Sequence, residues 1–328
     1  MAQHFLLTSA ARTLSLASVM RMSDEEAEQT FVKLRWSNND GNAVCPHCGC
    51  PTVYSCRRPN GALRWRCKAC RKDFSVTSGT LFAHHKLPLK AYLLAIAIFC
   101  NEVKGKSMLA LSRDLGVQYK TSFVLAHKMR EAMATEVRTQ VVGGAGRKAE
   151  IDGGYFGGYV KPANLRQNRR DRRLRANMSG KRRVVVVIRE RDGRTLPAVF
   201  RNESDALGFI RRNLAPQTEL YADEAGSWNE LHARHTLHRI DHGQAYSLGE
   251  GIHSNNAESF FSRMRRAEIG HHHHLAGPYL LRFAQESAWR EDHRKDPNGF
   301  LVDRVVALAM RNKPSLDFCG YWQRSRAA

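Results

Sequence analysis

Hydrophobic positions follow two rhythms along the chain, and the change from one to the other divides it. From Leu89 to Cys100, directly after Pro88, nearly every residue is apolar or a good helix former, which predicts a buried helix. Over Ser107–Arg130, Leu111 and Leu115 precede Gly116, and Val117, Val124 and Leu125 then resume a helical stripe. The pattern is that of a helix-turn-helix, with Gln118, Tyr119, Lys120 and Ser122 at the start of the second helix, although an ordinary helical hairpin would carry the same stripe. Gly143-Gly-Ala-Gly146 reads as a linker.

Beyond the linker the rhythm turns to strands. Lys148–Asp152 reads as a strand ending in an acid and followed by a loop of four glycines. Val184–Ile188 is a continuous β-branched run, as in a strand buried on both faces, with Asp192-Gly193 as the turn and Leu196–Phe200 as its partner. Ser204–Leu214 reads as a helix with Ser204 as N-cap, and Thr218–Glu224 as a strand ending in acids. A strand at Leu237–Asp241 leads through the glycine-rich Ser247–Gly251 to a helix. There Ala257, Phe260, Phe261 and Met264 form the apolar stripe, while Glu258, Ser262 and Arg265 share another face. A last helix is predicted over Leu301–Met310. The fold class is multidomain α+β or α/β.

Charge narrows the function. Lys and Arg number 52 against 31 Asp and Glu, a net charge of +21, which calls for a polyanionic partner. A hydrophobic share of 42% excludes wholesale disorder. The longest apolar run, Ala91–Cys100, is far short of the roughly 18–20 residues that span a bilayer, so no membrane partner is expected. Met1–Met20 lacks the basic and compact apolar regions of a signal peptide, so a cytoplasmic, nucleic-acid-binding protein is expected.

Six of the eight cysteines fall between Cys45 and Cys70. Cys45-Pro-His-Cys48 and Cys67-Lys-Ala-Cys70 have the spacing of a four-thiolate zinc ribbon, with Thr52–Ser55 and Leu63–Arg66 as the hairpin between the knuckles. Four sulfurs leave no open coordination position, so this Zn2+ is structural. Cys50, Cys56 and His47 have no spaced partner.

Asp152, Asp223 and Glu258 sit at two strand ends and in the first turn of a helix. Phosphodiester chemistry uses two hard divalent ions about 3.5–4 Å apart, and such ions take carboxylate oxygens. The ordered trio therefore forms a candidate site for two Mg2+ or Mn2+ ions. The basic stretch Lys161–Arg183 is either a solvated loop or a clamp on DNA. The His271–His274 run is expected to be surface or DNA contact, and Trp289 to be core.

These motifs together resemble a known family, the bacterial insertion-sequence transposases with an N-terminal zinc ribbon and a ribonuclease-H-like DDE domain, in the Merlin-related branch. The resemblance runs from about Phe31 to Arg294. It rests on Arg35-Trp36 before the first knuckle, on Phe74–Phe82, on Glu150-Ile-Asp152-Gly-Gly-Tyr-Phe-Gly-Gly, on Tyr221-Ala-Asp223-Glu224, on His253-Ser254-Asn255 with Glu258-Ser-Phe, and on Glu286-Ser-Ala-Trp289-Arg290. It implies a helical leader at 1–44, a zinc ribbon at 45–82, a helix-turn-helix-like DNA-binding region at 86–140, a ribonuclease-H-like catalytic domain with a mixed sheet at 148–296, and a helical tail at 297–328. It implies Asp152, Asp223 and Glu258 as catalytic metal ligands. Asn255, one helical turn before Glu258, is the alternative third residue, and carboxylate chemistry favours Glu258. Arg265 and His253 join Gln118, Tyr119 and Lys120 as expected phosphate or DNA contacts.

The expected activity is cleavage at the ends of an insertion sequence and strand transfer into target DNA, by a homo-oligomer holding two ends. A DNA-binding regulator with an inactive scaffold is the alternative. A nuclease of the same fold would cut without joining.

Overall fold

The computed structural model describes residues 4–59, 61–139, 141–158, 163–170, 180–223, 226–240, 253–275 and 277–320. The predicted acid Glu224, the loop Ser247–Gly251, Asp241, and much of Lys161–Arg183 lie outside them. The chain divides into two compact units, residues 1–135 with 293–328, and residues 136–292.

In the first unit, α1 (Leu16–Arg21) and α2 (Asp24–Arg35) each begin with a capping box, at Ser15 with Ser18 and at Ser23 with Glu26. The ribbon follows, with β1 (Val53–Arg57), β2 (Leu63–Cys67) and β3 (Asp73–Phe74) in an antiparallel sheet where Val53 faces Cys67 and Trp65 faces Phe74. The Arg35-Trp36 pair ties α2 to this sheet. Trp36 meets Trp65 edge-on at 5.1 Å, and Trp65 stacks on Phe74 at 5.7 Å. Arg35 donates to the carbonyls of Ser75, Val76 and Ser78.

The apolar run at Leu89 becomes α3 (Leu89–Asn101), which starts at Pro88. Next come α4 (Met108–Asp114) and α5 (Tyr119–Arg138), joined by a turn in which Gly116 takes a φ of +64°. Gln118, Tyr119 and Lys120 are exposed at the start of α5. Ser122 is not available to a ligand: it is buried, and its hydroxyl donates to the Met108 carbonyl at 2.7 Å, tying the two helices together. The C-terminal segment returns to this unit, where α9 (Asn298–Arg311) packs against α2 and α3 and buries Val302, Val305 and Val306. Asn298 fixes its start, accepting from the Thr13 and Leu14 N–H groups and donating to the Leu14 carbonyl and the Asn101 side chain.

The second unit is built on β4 (Lys148–Phe156), β5 (Arg183–Glu190), β6 (Thr195–Phe200), β7 (Glu219–Asp223) and β8 (Leu237–Ile240). Their order is β6-β5-β4-β7-β8, with β5 antiparallel to β4 and β6, and β7 parallel to β4 and β8. This mixed sheet is the ribonuclease-H-like arrangement. Val184–Ile188 is fully buried, as a doubly covered strand requires. The β5–β6 turn runs through Asp192, at φ +56°, and Gly193. The crossover from β6 to β7 carries α6 (Leu207–Asn213), and α7 (Asn255–Ala267) and α8 (Leu280–Asp292) complete the unit, α7 packing on β4 and β5 and α8 on β6.

Three local expectations change. Asp152 does not end its strand: β4 continues through Gly153 and Gly154 to Phe156, because both glycines are filled by neighbours that a strand interior can accept. The cap before α6 is Asn202, in a capping box with Asp205, and Ser204 lies inside the following 3₁₀ turn. The segment at Gly143 is pinned: Val142 bridges Leu214, Gly144 N–H donates to the Thr218 hydroxyl at 2.9 Å, and a Cβ on Gly143 would lie 2.3 Å from that hydroxyl.

Candidate active site

The sheet brings the first two acids together by register. Ile151 pairs with Ala222 across the parallel β4–β7 ladder, so the next residue on each strand is Asp152 and Asp223, on chains about 4.8 Å apart. Each carboxylate has a holder. The Gly153 N–H donates to Asp152 Oδ1 at 2.7 Å, and the indole Nε1 of fully buried Trp228 donates to Asp223 Oδ1 at 2.8 Å.

Glu258 comes from α7, whose first turn is organised in an unusual way. The N-cap residue Ser254 makes no capping hydrogen bond; its hydroxyl donates instead to Glu258 Oε1 at 2.9 Å. The cap is supplied by Glu150, two residues before Asp152 on the same face of β4. Glu150 Oε2 accepts from the backbone N–H groups of Asn256 and Ala257 at 2.8 and 2.9 Å, and Oε1 accepts from the Asn256 amide at 2.9 Å. Arg191 neutralises this fully buried carboxylate at 2.8 Å. An anion at a helix N-terminus satisfies the orphan N–H groups and the helix dipole together. The motif Glu150-Ile-Asp152 thus supplies both an anchor for α7 and a carboxylate for the site.

A fourth acid was not visible in the sequence. Glu203, in the 3₁₀ turn after β6, lies against Gly153 so closely that a Cβ there would be 2.8 Å from its Oε1. Burial raises its carboxyl above the usual range, Asp223 adds to this, and hydrogen bonds from Tyr155 and Ser227 oppose it. Asp152 shows the same environment more strongly. Burial pushes it up to about 7, the Gly153 N–H opposes, and the charges of Asp223, Glu258 and Glu203 push further. Four carboxylates from four separate segments are therefore within electrostatic reach of one another.

The other expected contacts separate. Asn255 is the exposed first residue of α7. The ring of His253 lies beside Glu150, at 3.5 Å, and Arg191, at 3.4 Å. Arg265 is exposed, its guanidinium 5.0 Å over the Phe156 ring. Trp289 is buried and donates to Glu136 at 3.0 Å, as a core residue does. His272 packs its ring on Phe283, and His271–His274 do not converge on a common point.

Comparison with known proteins now bears on the geometry. Residues 144–292 match the model of the ISXO2-like transposase domain, and residues 22–73 match that of the transposase zinc-ribbon domain. The chain belongs to the ISXO2-like, zinc-ribbon transposases. It is also 24% identical over 254 residues to an uncharacterized protein in transposable element ISH50 of Halobacterium salinarum, an alignment covering 75% of this chain and 83% of the relative.

The transposase zinc-ribbon match begins before α2, in keeping with the Arg35 and Trp36 contacts to the ribbon sheet. The four sulfurs of Cys45, Cys48, Cys67 and Cys70 all lie within 4.8 Å of one another, with 3.6 Å between Cys45 and Cys70 and between Cys48 and Cys67. Zn–S bonds of about 2.3 Å in a tetrahedron put sulfurs about 3.8 Å apart, so the donor set fits zinc. Backbone N–H groups, first that of Cys70, lower the Cys67 thiol to about 6, which favours the thiolate a metal binds. Among the described residues no other group of three or more ligating side chains is so tightly drawn together. No helix among the described residues is long and apolar enough to cross a membrane.

Proposed function

We propose that the chain is a DNA transposase that cleaves at the ends of its insertion sequence and joins the freed 3′-hydroxyl to target DNA. Asp152, Asp223 and Glu258 would hold two Mg2+ or Mn2+ ions, which when bound activate the attacking oxygen and stabilise the leaving one. The observation that carries this reading is the register that sets Asp152 and Asp223 side by side at the same level of two parallel strands, where burial first, and then the charges of Asp223, Glu258 and Glu203, raise the Asp152 carboxyl to about 7. A divalent cation relieves both the cost of burying the carboxylate charge and its repulsion by the neighbouring acids.

The chain's own groups perform the remaining tasks. Trp228 and Ser254 orient the Asp223 and Glu258 carboxylates, and Glu150 positions α7. We assign the zinc ribbon at 45–82 and the helices at 86–140, with Gln118, Tyr119 and Lys120 exposed, to recognition of the element ends. The catalytic domain is then 148–296, with 1–44 and 297–328 as helical flanks, and a homo-oligomer holds two ends at once.

The test is incubation of the purified protein with labelled DNA carrying the flanks of its own gene, with Mg2+, Mn2+ or neither. Metal-dependent breaks at defined ends plus joined products are expected, and Asp152→Asn or Asp223→Asn should abolish both while leaving DNA binding within a few-fold. Binding without breaks under either metal would refute the transposase in favour of a regulator, and breaks without joining would leave a nuclease.

A further inference from the structure

Farther along the two elements that carry Asp152 and Glu258 lies a cleft of about 1340 Å³, bounded by the end of β4, the start of β5, the end of α7 and the Gly277–Tyr279 turn. It exceeds the roughly 300–1,000 Å³ of compact small-molecule sites and suits a length of polymer. The same two elements that carry the acids build its walls: Tyr155 is three residues beyond Asp152 on β4, and Arg265 is two helical turns beyond Glu258 on α7.

The lining combines two chemistries. Lys181, Arg183 and Arg265 supply cations, against one acid, Glu268, whose carboxylate accepts the Leu275 N–H at 2.9 Å. Tyr279 also lines the cleft, and the Arg182 guanidinium lies 4.2 Å over the ring of the lining residue Tyr155, giving a flat cationic platform. The rim carries Ile269, 76% exposed on the π turn that ends α7. A duplex keeps its bases stacked on each other and shows a protein mainly phosphates and groove edges. An unpaired strand offers phosphates to cations and base faces to aromatic rings at the same time.

We infer that this cleft binds unpaired nucleotides of the DNA strand that continues from the cleavage site, with phosphates on Lys181 and Arg265 and a base on Tyr279. The inference rests on the proposed function for the direction of that strand. The cleft's preference is for single strands and tolerant of sequence.

The probe is a short oligothymidylate carrying one 2-aminopurine, alone or annealed to its complement, titrated into the full-length protein in buffer free of Mg2+ and Mn2+. The single strand should bind with a change in 2-aminopurine fluorescence. Tyr279→Ala should weaken single-strand binding about tenfold and leave duplex binding within twofold, while Tyr279→Phe, which keeps the ring, should behave as wild type. Lys181→Gln should weaken single-strand binding and flatten its salt dependence, a readout that does not depend on the Tyr279 variants folding. Unchanged single-strand affinity in Tyr279→Ala and Lys181→Gln, or equal losses on both DNAs, would overturn the inference. Cleavage of gene-flank DNA by wild type without any single-strand preference would overturn the cleft alone. Single-strand preference without cleavage would overturn the proposed function alone.

Discussion

The burial of Asp152, reinforced by the charges of Asp223, Glu258 and Glu203, should make the site a measurable burden on the metal-free fold. Its carboxyl is raised from 3.8 to about 7, worth about 4 kcal/mol between the two protonation states. The sign follows from linkage. Well below pH 3.8 the group is protonated in both folded and unfolded chains and costs nothing. Between pH 4 and 7 the unfolded chain ionises and the folded one resists, so stability falls, and above pH 7 the full penalty stands. Asp152→Asn removes the titration while keeping an oxygen to accept the Gly153 N–H. The variant should therefore melt close to wild type at pH 4.5 and about 10 °C higher at pH 8, from about 2–4 °C per kcal/mol for a unit of this size. The assay is thermal denaturation in buffer depleted of Mg2+ and Mn2+ without chelator, so that the ribbon keeps its zinc. Adding Mg2+ at pH 8 should raise the wild-type melting point and narrow the gap. A variant no more stable than wild type at pH 8, or a gap of the same size at both pH values, would refute the electrostatic account.

Three other outcomes can be checked. Cys67→Ser should lose zinc by elemental analysis and melt the ribbon, since three sulfurs cannot close the tetrahedron; full zinc content would contradict the assigned ligands. Gly154→Ala puts a methyl group 2.4 Å from the Phe261 ring and should cost about 1–3 kcal/mol in denaturant unfolding, whereas Gly208→Ala, with open space around it, should not. Glu150→Gln removes the charge facing Arg191 and weakens the cap on α7, so it should destabilise the second unit by about 3 kcal/mol and raise the Mg2+ concentration needed for cleavage; unchanged metal dependence would separate Glu150 from the site.

The sequence carried most of the fold because its signals are local and strong. A β-branched run such as Val184–Ile188 has one use in a soluble domain, and two Cys-x-x-Cys knuckles around a hairpin have very few. What it hid depends on long-range packing. Glycines after Asp152 read as a loop because glycine propensity is local, while their actual cause is the approach of Glu203 and Phe261 from elements 50 and more than 100 residues away. Glu203 itself stands among ordinary polar turn residues, and only the sheet reveals its proximity. Glu150 has no legible role within its motif, since nothing in a strand shows that its carboxylate will cap a distant helix. The part played by the C-terminal helix, completing the core under α2 and α3, likewise has no local signature.

The Glu150 cap has a consequence for how much length variation this architecture can absorb. The separation of Asp152 from Glu258 is set by two residues of β4, the first turn of α7 and the hydrogen bonds between them. Everything the chain does between Phe156 and His253 drops out of that sum. Segments there could be lengthened, shortened or replaced among descendants of the same ancestor without retuning the spacing of these two acids, provided the strands between them still pair. Surface loops become free to vary, while the spacing of the two acids rides on a short, hydrogen-bonded ruler.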